Sequence, residues 1–159
     1  ITVTFPFVVW DWVNAVRKDY AGVARLGNAG ELRAALPKAG SVYWDGRALA
    51  PWFELGYPSY VSEAQTAGVV FFRATAIETR RRTALVASAA GKPHRDHAQL
   101  LRQPPPDIDL SGVHVLCLDP ALAAVYLETA HDESVGVPVI DRRGRRQGTL
   151  ALCERLRHG

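Results

Sequence analysis

The chain has 159 residues, of which 48% are hydrophobic and 22% are charged, and its net charge is +3. These values are typical of a globular protein and exclude a disordered tail, a collagen-like repeat and a coiled coil. The length fits one domain, so we predict a single domain over residues 1–159. No apolar run approaches the ~18 residues of a membrane span, and we expect no membrane among the partners.

The first half of the chain alternates strand patterns with helix patterns. Apolar, β-branched runs favour strands, whereas apolar residues at three- and four-residue steps favour helices. These rules predict strands at residues 3–11, 41–45 and 68–73, and helices at residues 12–26, 30–36, 59–67 and 74–90. Residues 47–58, which contain Pro51, are predicted to form a short helix or turn.

The second half ends in a hairpin pattern. The predicted elements are a helix at 94–102, a proline-rich loop at 103–112, a strand at 113–119 (VHVLCLD), a helix at 120–130 (PALAAVYLETA) and strands at 135–141 and 147–154. Pro120 suits the first turn of a helix, where its missing N–H is not needed. The two last strands flank the turn RRGRR and predict an antiparallel hairpin.

The order of these elements indicates an α/β fold. We predict three layers, with a mostly parallel central sheet of five or six strands and the antiparallel hairpin 135–154 at one edge. The alternative is an α+β fold, in which a mostly antiparallel sheet carries its helices on one face.

Two cysteines lie in apolar runs. Cys117 is found in VLCLD and Cys153 in LALCE, a pattern typical of buried free thiols. Two cysteines are too few for a disulfide scaffold, so we predict a reducing compartment, the cytoplasm. The chain opens on Ile1 and contains no methionine, which predicts a trimmed terminus or a longer parent protein.

Four predicted strands end on an aspartate: Asp11, Asp45, Asp119 and Asp141. The carboxyl ends of parallel strands meet at one edge of a sheet, and carboxylates there bind Mg²⁺ or Mn²⁺. We therefore predict all four as metal ligands, and the first three also as catalytic residues. Such a site would activate water for phosphodiester hydrolysis, so the first hypothesis is a metal-dependent phosphodiesterase or nuclease. The alternative is that each aspartate only caps a following helix.

Glu78 is predicted as a further catalytic acid. It follows the predicted strand 68–73 at the start of the helix 74–90, with Arg80, Arg81 and Arg82 beside it to hold a phosphate. The alternative is a first-turn glutamate that only favours the helix dipole.

Basic residues are concentrated in two segments. Residues 79–106 and 142–159 each hold six basic residues and one acidic residue. Arginine binds phosphate as a planar fork, and the predicted nucleic-acid-binding residues are Arg80, Arg81, Arg82, Arg142, Arg143, Arg145 and Arg146. The second hypothesis is thus a non-catalytic interaction module that binds nucleic acid, another polyanion or an acidic protein. Two unrelated solvated patches are the alternative.

Overall fold

The computed structural model describes residues 26–44, 50–62, 72–91, 108–128 and 134–158. The helices are α1 (Ala29–Ala35), α2 (Arg73–Ala89), α3 (Leu110–Cys117) and α4 (Cys153–His158), with a π-helical turn at Ala50–Leu55. The strands are β1 (Ser41–Tyr43), β2 (Leu122–Leu127), β3 (Gly136–Ile140) and β4 (Arg146–Leu152). The predicted helices 30–36 and 74–90, the described part of the strand 41–45 and the antiparallel pairing of the terminal hairpin are confirmed. The predicted last strand 147–154 is too long, because Cys153 and Glu154 begin α4, a helix that the sequence did not predict.

The predicted strand 3–11 and helix 94–102, and most of the predictions for 12–26, 59–67, 68–73 and 103–112, lie outside the described residues. In the described parts, residues 59–62 are not helical, Arg73 begins α2 instead of ending a strand, and residues 110–112 of the predicted loop belong to α3.

The described strands form one mixed sheet in the order β1-β2-β4-β3. β1 pairs with β2 in parallel, while the β2–β4 and β3–β4 pairs are antiparallel. Helices together with a mixed sheet support the general α/β class. The expectation of a mostly parallel sheet is wrong for these strands, because the hairpin contributes one antiparallel pair and its second strand adds another beside β2. The three-layer arrangement and the single domain stay predictions.

Two predictions of secondary structure are wrong between residues 110 and 127. Residues 113–119 were expected as a strand but belong mainly to α3, and residues 122–127, expected as helix, form β2. Asp109 caps the N-terminus of α3, because its carboxylate accepts a hydrogen bond from the Gly112 N–H at 2.8 Å. β2 lies inside the sheet and is buried on both faces, so its sequence shows no alternation. Its alanines suit a helix by propensity, but pairing with β1 and β4 overrides that preference.

Two clusters of buried residues form the core. One contains residues of α2, α3 and α4, such as Val86 and Leu116, together with Val125 of β2. The other contains residues of α1 and the π-helical turn, together with Ala124 of β2 and Leu150 of β4. Adjacent residues of β2 therefore point into different clusters, as the two-residue repeat of a strand requires.

The outer edge of β3 is covered by the segment before α1. The Gly27 N–H donates to the Ile140 carbonyl at 2.7 Å. The Asn28 side chain donates to the Pro138 carbonyl at 2.8 Å and accepts from the Ile140 N–H at 3.0 Å. These bonds occupy backbone groups that an edge strand would otherwise leave open to another chain.

Cys117 and Cys153 form a disulfide. The prediction of two free thiols is therefore wrong, because the end of α3 and the start of α4 bring the two Cα atoms within 5.0 Å. The cytoplasmic location stays a prediction, now without the support of free thiols. Among the helices of the described segments, none has the length and apolarity needed to cross a bilayer.

Candidate functional site

Asp119 lies between α3 and β2 rather than at the end of a strand. It is a buried carboxylate, with 3% of its side chain exposed. The Ala121 N–H donates to Oδ1 at 3.0 Å, while the Tyr60 hydroxyl and Arg81 Nη2 each donate to Oδ2 at 2.6 Å. The strand-end position predicted for Asp119 is wrong because residues 110–117 form a helix.

These contacts determine the protonation of both Asp119 and Tyr60. Burial raises the pKa of Asp119, but hydrogen bonds from Tyr60, the Ala121 N–H and Arg81 outweigh it, so its pKa lies below the usual value. Burial and the bond to Asp119 raise the pKa of Tyr60 well above 10.0. At neutral pH Tyr60 is therefore a protonated hydrogen-bond donor and neither a base nor a nucleophile.

Glu78 lies in the second turn of α2 and pairs with two arginines of the same helix. Arg81 donates to it through Nε at 2.9 Å and Nη2 at 2.8 Å, and Arg82 donates through Nε at 2.7 Å. The hydrogen bonds from Arg81 and then Arg82 lower the pKa of Glu78 to about 2. Because Arg81 Nη2 donates to both carboxylates, the structure brings Glu78 and Asp119 together on one guanidinium.

Arg82 completes this network by binding the segment that carries Tyr60. Its Nη1 donates to the Tyr60 carbonyl at 2.9 Å, and its guanidinium carbon lies 4.9 Å from the centroid of the Tyr60 ring. Two carboxylates and two guanidiniums therefore balance one another, and we name this set (Tyr60, Glu78, Arg81, Arg82 and Asp119) the acid–arginine network. It joins α2 to the start of β2 and holds no unpaired acid or base.

A cleft with a volume of about 440 Å³ opens beside the network. Its lining consists of Tyr60, Ala74, Thr75, Glu78, Thr79 and Arg82. Within the described segments, no three His, Cys, Asp or Glu residues are grouped so that they could hold a metal ion.

Asp141 follows β3 at the start of the hairpin turn, so its predicted position at the end of a strand is confirmed. Its carboxylate is 7% exposed and accepts from the backbone N–H groups of Arg143 and Arg145, at 2.8 and 2.9 Å. It also accepts from Arg145 Nε and from the Gln147 amide, both at 2.9 Å. The bond from the Arg145 N–H is the main cause that lowers the pKa of Asp141, against a smaller opposing effect of burial.

Asp119 and Asp141 lie at opposite ends of the sheet. Asp119 precedes Leu122, the first residue of β2, whereas Asp141 lies beyond Leu127, because Leu127 pairs with Thr149 and the turn is further along. The seven residues of β4 run between these ends, a distance of about 20 Å at ~3.3 Å per residue. The structure therefore does not bring these two predicted ligands together.

The other two predicted ligands, Asp11 and Asp45, lie outside the described residues. The metal-dependent phosphodiesterase, with its Mg²⁺ or Mn²⁺, stays a prediction that neither Asp119 nor Asp141 supports by its surroundings. Each of these two carboxylates already accepts hydrogen bonds from several protein donors.

The predicted arginines also divide between the two ends. On α2, Arg81 and Arg82 are engaged in the acid–arginine network, and Arg80 is exposed. At the hairpin turn, Arg142, Arg143 and Arg145 are exposed, and Arg146 is partly buried with Nη2 donating to Thr149 Oγ1 at 3.1 Å. The two sets lie at opposite ends of the sheet, because Arg81 binds Asp119 before β2 begins and the hairpin turn lies beyond the end of β2.

Two residues of these sites were not singled out from the sequence. Tyr60 reaches Asp119 across 59 positions of the chain, a distance that no local pattern encodes. Arg157 donates to three carbonyls, those of Cys117 at 2.6 Å, Asp119 at 2.7 Å and Leu122 at 2.9 Å. A basic residue that binds the last carbonyls of a helix is a common end signal, but here it comes from a different helix.

No family model, curated protein or solved structure matches this chain.

Proposed function

We propose that this chain is a binding module for a polyanion and that residues 141–147, named the arginine turn, contact the phosphates of a nucleic acid. The turn contains four arginines and one aspartate, a net charge of +3. Arg142 and Arg143 are exposed and form no ion pair with the described residues. Arg145 pairs with Asp141 but keeps 64% of its side chain exposed.

The observation that carries the proposal is how Asp141 holds the turn. Its buried carboxylate accepts from the N–H groups of Arg143 and Arg145, and Gly144 supplies the positive φ of 75° that the turn requires. The backbone that presents Arg142 and Arg143 is thus ordered before any ligand arrives. A preordered surface loses less conformational entropy on binding than a flexible one.

The choice of arginine favours phosphate as the ligand. A guanidinium offers paired donors in a rigid plane that matches two phosphate oxygens, whereas an ammonium acts as a point charge. A nucleic acid provides such phosphates at regular spacing, so adjacent arginines can bind adjacent groups. An acidic protein is the competing partner, and the experiment below separates the two.

Fluorescence anisotropy with a labelled oligonucleotide, measured between about 50 and 200 mM salt, tests the proposal. The variant Arg142→Gln/Arg143→Gln removes two phosphate contacts and should reduce the slope of log affinity against log salt by about 1.4–1.8. The matched control Arg73→Gln/Arg80→Gln removes two exposed arginines of α2 and should leave the slope unchanged.

Equal slopes for the two variants, or no binding by the wild-type chain at low salt, would contradict the proposal. Polyglutamate added as a competitor separates the two kinds of partner. If it displaces the oligonucleotide at the same concentration of charge, the turn recognises carboxylates equally well and the nucleic acid assignment is wrong.

A further inference from the structure

The disulfide connects the last residue of α3 to the first residue of α4. Cys117 and Cys153 are separated by 36 positions, and both are buried, with 2% and 0% of their surfaces exposed. The bond therefore holds the C-terminal helix against the end of α3 and lies beyond direct reach of a reagent in solution.

α4 depends on its surroundings to remain helical. It has six residues, fewer than the ~12 that an isolated helix needs even for marginal stability in water. Within the described residues, Arg155 Nη1 donates to the Gly136 carbonyl of β3 at 3.4 Å, and two further side chains hold the helix. Leu156 packs against the core cluster of α2 and α3, and Arg157 binds the carbonyls of Cys117, Asp119 and Leu122.

Arg157 links the disulfide to the acid–arginine network. Its guanidinium donates a hydrogen bond to the backbone carbonyl of Asp119, while the carboxylate of Asp119 accepts from Tyr60 and Arg81. Any movement of α4 away from α3 withdraws Arg157 and leaves these carbonyls to water.

We propose that the Cys117–Cys153 bond is a redox-dependent lock on α4. A dithiol reductant cleaves the S–S bond by transferring two electrons and two protons, which yields two cysteine thiols and the cyclic disulfide of the reductant. Reduction then releases α4 and Arg157 but leaves the β3–β4 hairpin paired. Because both sulfurs are buried, the reductant reaches them only when α4 opens transiently, so opening controls the rate of reduction.

Hydrogen exchange of the oxidised chain, before and after treatment with dithiothreitol, tests this lock. In the reduced chain, the amides of α4 should exchange between about tenfold and a thousandfold faster, and those of β3 and β4 should keep their rates. The variant Cys117→Ser/Cys153→Ser should reproduce the reduced pattern, and if it does not fold, the reduced wild-type chain still decides.

A second variant separates the lock from a purely structural crosslink. Arg157→Gln keeps the disulfide but weakens the hold on α4, so dithiothreitol should reduce the bond several-fold faster than in the wild-type chain. Equal exchange of α4 in the two redox states, an equal acceleration over the whole sheet, or an unchanged reduction rate in Arg157→Gln would each overturn the proposal.

Discussion

Asp119 is a buried carboxylate, and three hydrogen-bond donors compensate its charge for the loss of water. Replacing it as Asp119→Asn removes the charge that Arg81 and Tyr60 bind while leaving those donors in place. Breaking such a buried pair should lower the free energy of unfolding by about 2–4 kcal/mol, measured by urea denaturation. The variant Asp109→Asn is a matched control, since Asp109 is an exposed N-cap and asparagine caps a helix about as well as aspartate does. Similar losses in both variants would contradict a special role for the buried site.

The low pKa values of Glu78 and Asp119 predict how stability depends on pH. A carboxylate with a lowered pKa stabilises the folded chain above its ordinary pKa, and this contribution is lost as pH falls through the folded-state value. For Glu78 the loss occurs from about 4.5 down to about 2. The urea midpoint should therefore fall through this range, and it should fall less in a Glu78→Gln/Asp119→Asn variant. An equally steep fall in that variant would contradict the assignment of these two groups.

At the scale of elements, local signals predicted some parts of the fold better than others. The hairpin was predictable because alternating apolar residues flank a glycine-containing turn. α2 was predictable because an alanine-rich helical pattern ends at Gly91. The sequence predicted a strand where α3 lies and a helix where β2 lies. Both are short apolar runs, and periodicity does not distinguish a helix from a buried strand in such a run. What separates them is the N-cap at Asp109 and the pairing of β2 with two strands distant in sequence.

Gly148 tests the close approach of β4 to β2, and Gly30 in α1 serves as its control. In β4, a Cβ added at Gly148 would lie 2.2 Å from the Leu127 carbonyl oxygen, so Gly148→Ala must push β4 away from β2. We expect a loss of at least about 2 kcal/mol in the free energy of unfolding. Gly30 of α1 has open space around its Cβ position, and Gly30→Ala should gain about 0.5–1 kcal/mol from helix propensity. Thermal or urea unfolding of both variants checks whether the free energy of unfolding falls for Gly148→Ala and rises for Gly30→Ala. An unchanged free energy of unfolding for Gly148→Ala would show that β2 and β4 are further apart than described.

At the scale of the whole molecule, the sheet separates two charged sites. The acid–arginine network lies at the start of β2, and the arginine turn lies beyond its end. The sequence indicated both basic segments but could not place them, because their separation follows from the order β1-β2-β4-β3 and its register. Arg81 and Arg82 looked like phosphate ligands in the sequence, yet their partners Glu78 and Asp119 neutralise them.

The most direct test of the proposed function is to map where an oligonucleotide contacts the chain. Amide chemical shifts of the isotope-labelled protein, followed by NMR during titration with a single-stranded oligonucleotide at low salt, report that position residue by residue. We predict that the largest changes occur in the arginine turn, at Arg142, Arg143 and Gly144, and that Arg80 and its neighbours on α2 do not respond. Shifts concentrated on α2, or the absence of saturable shifts anywhere, would contradict the proposal that the arginine turn binds the polyanion.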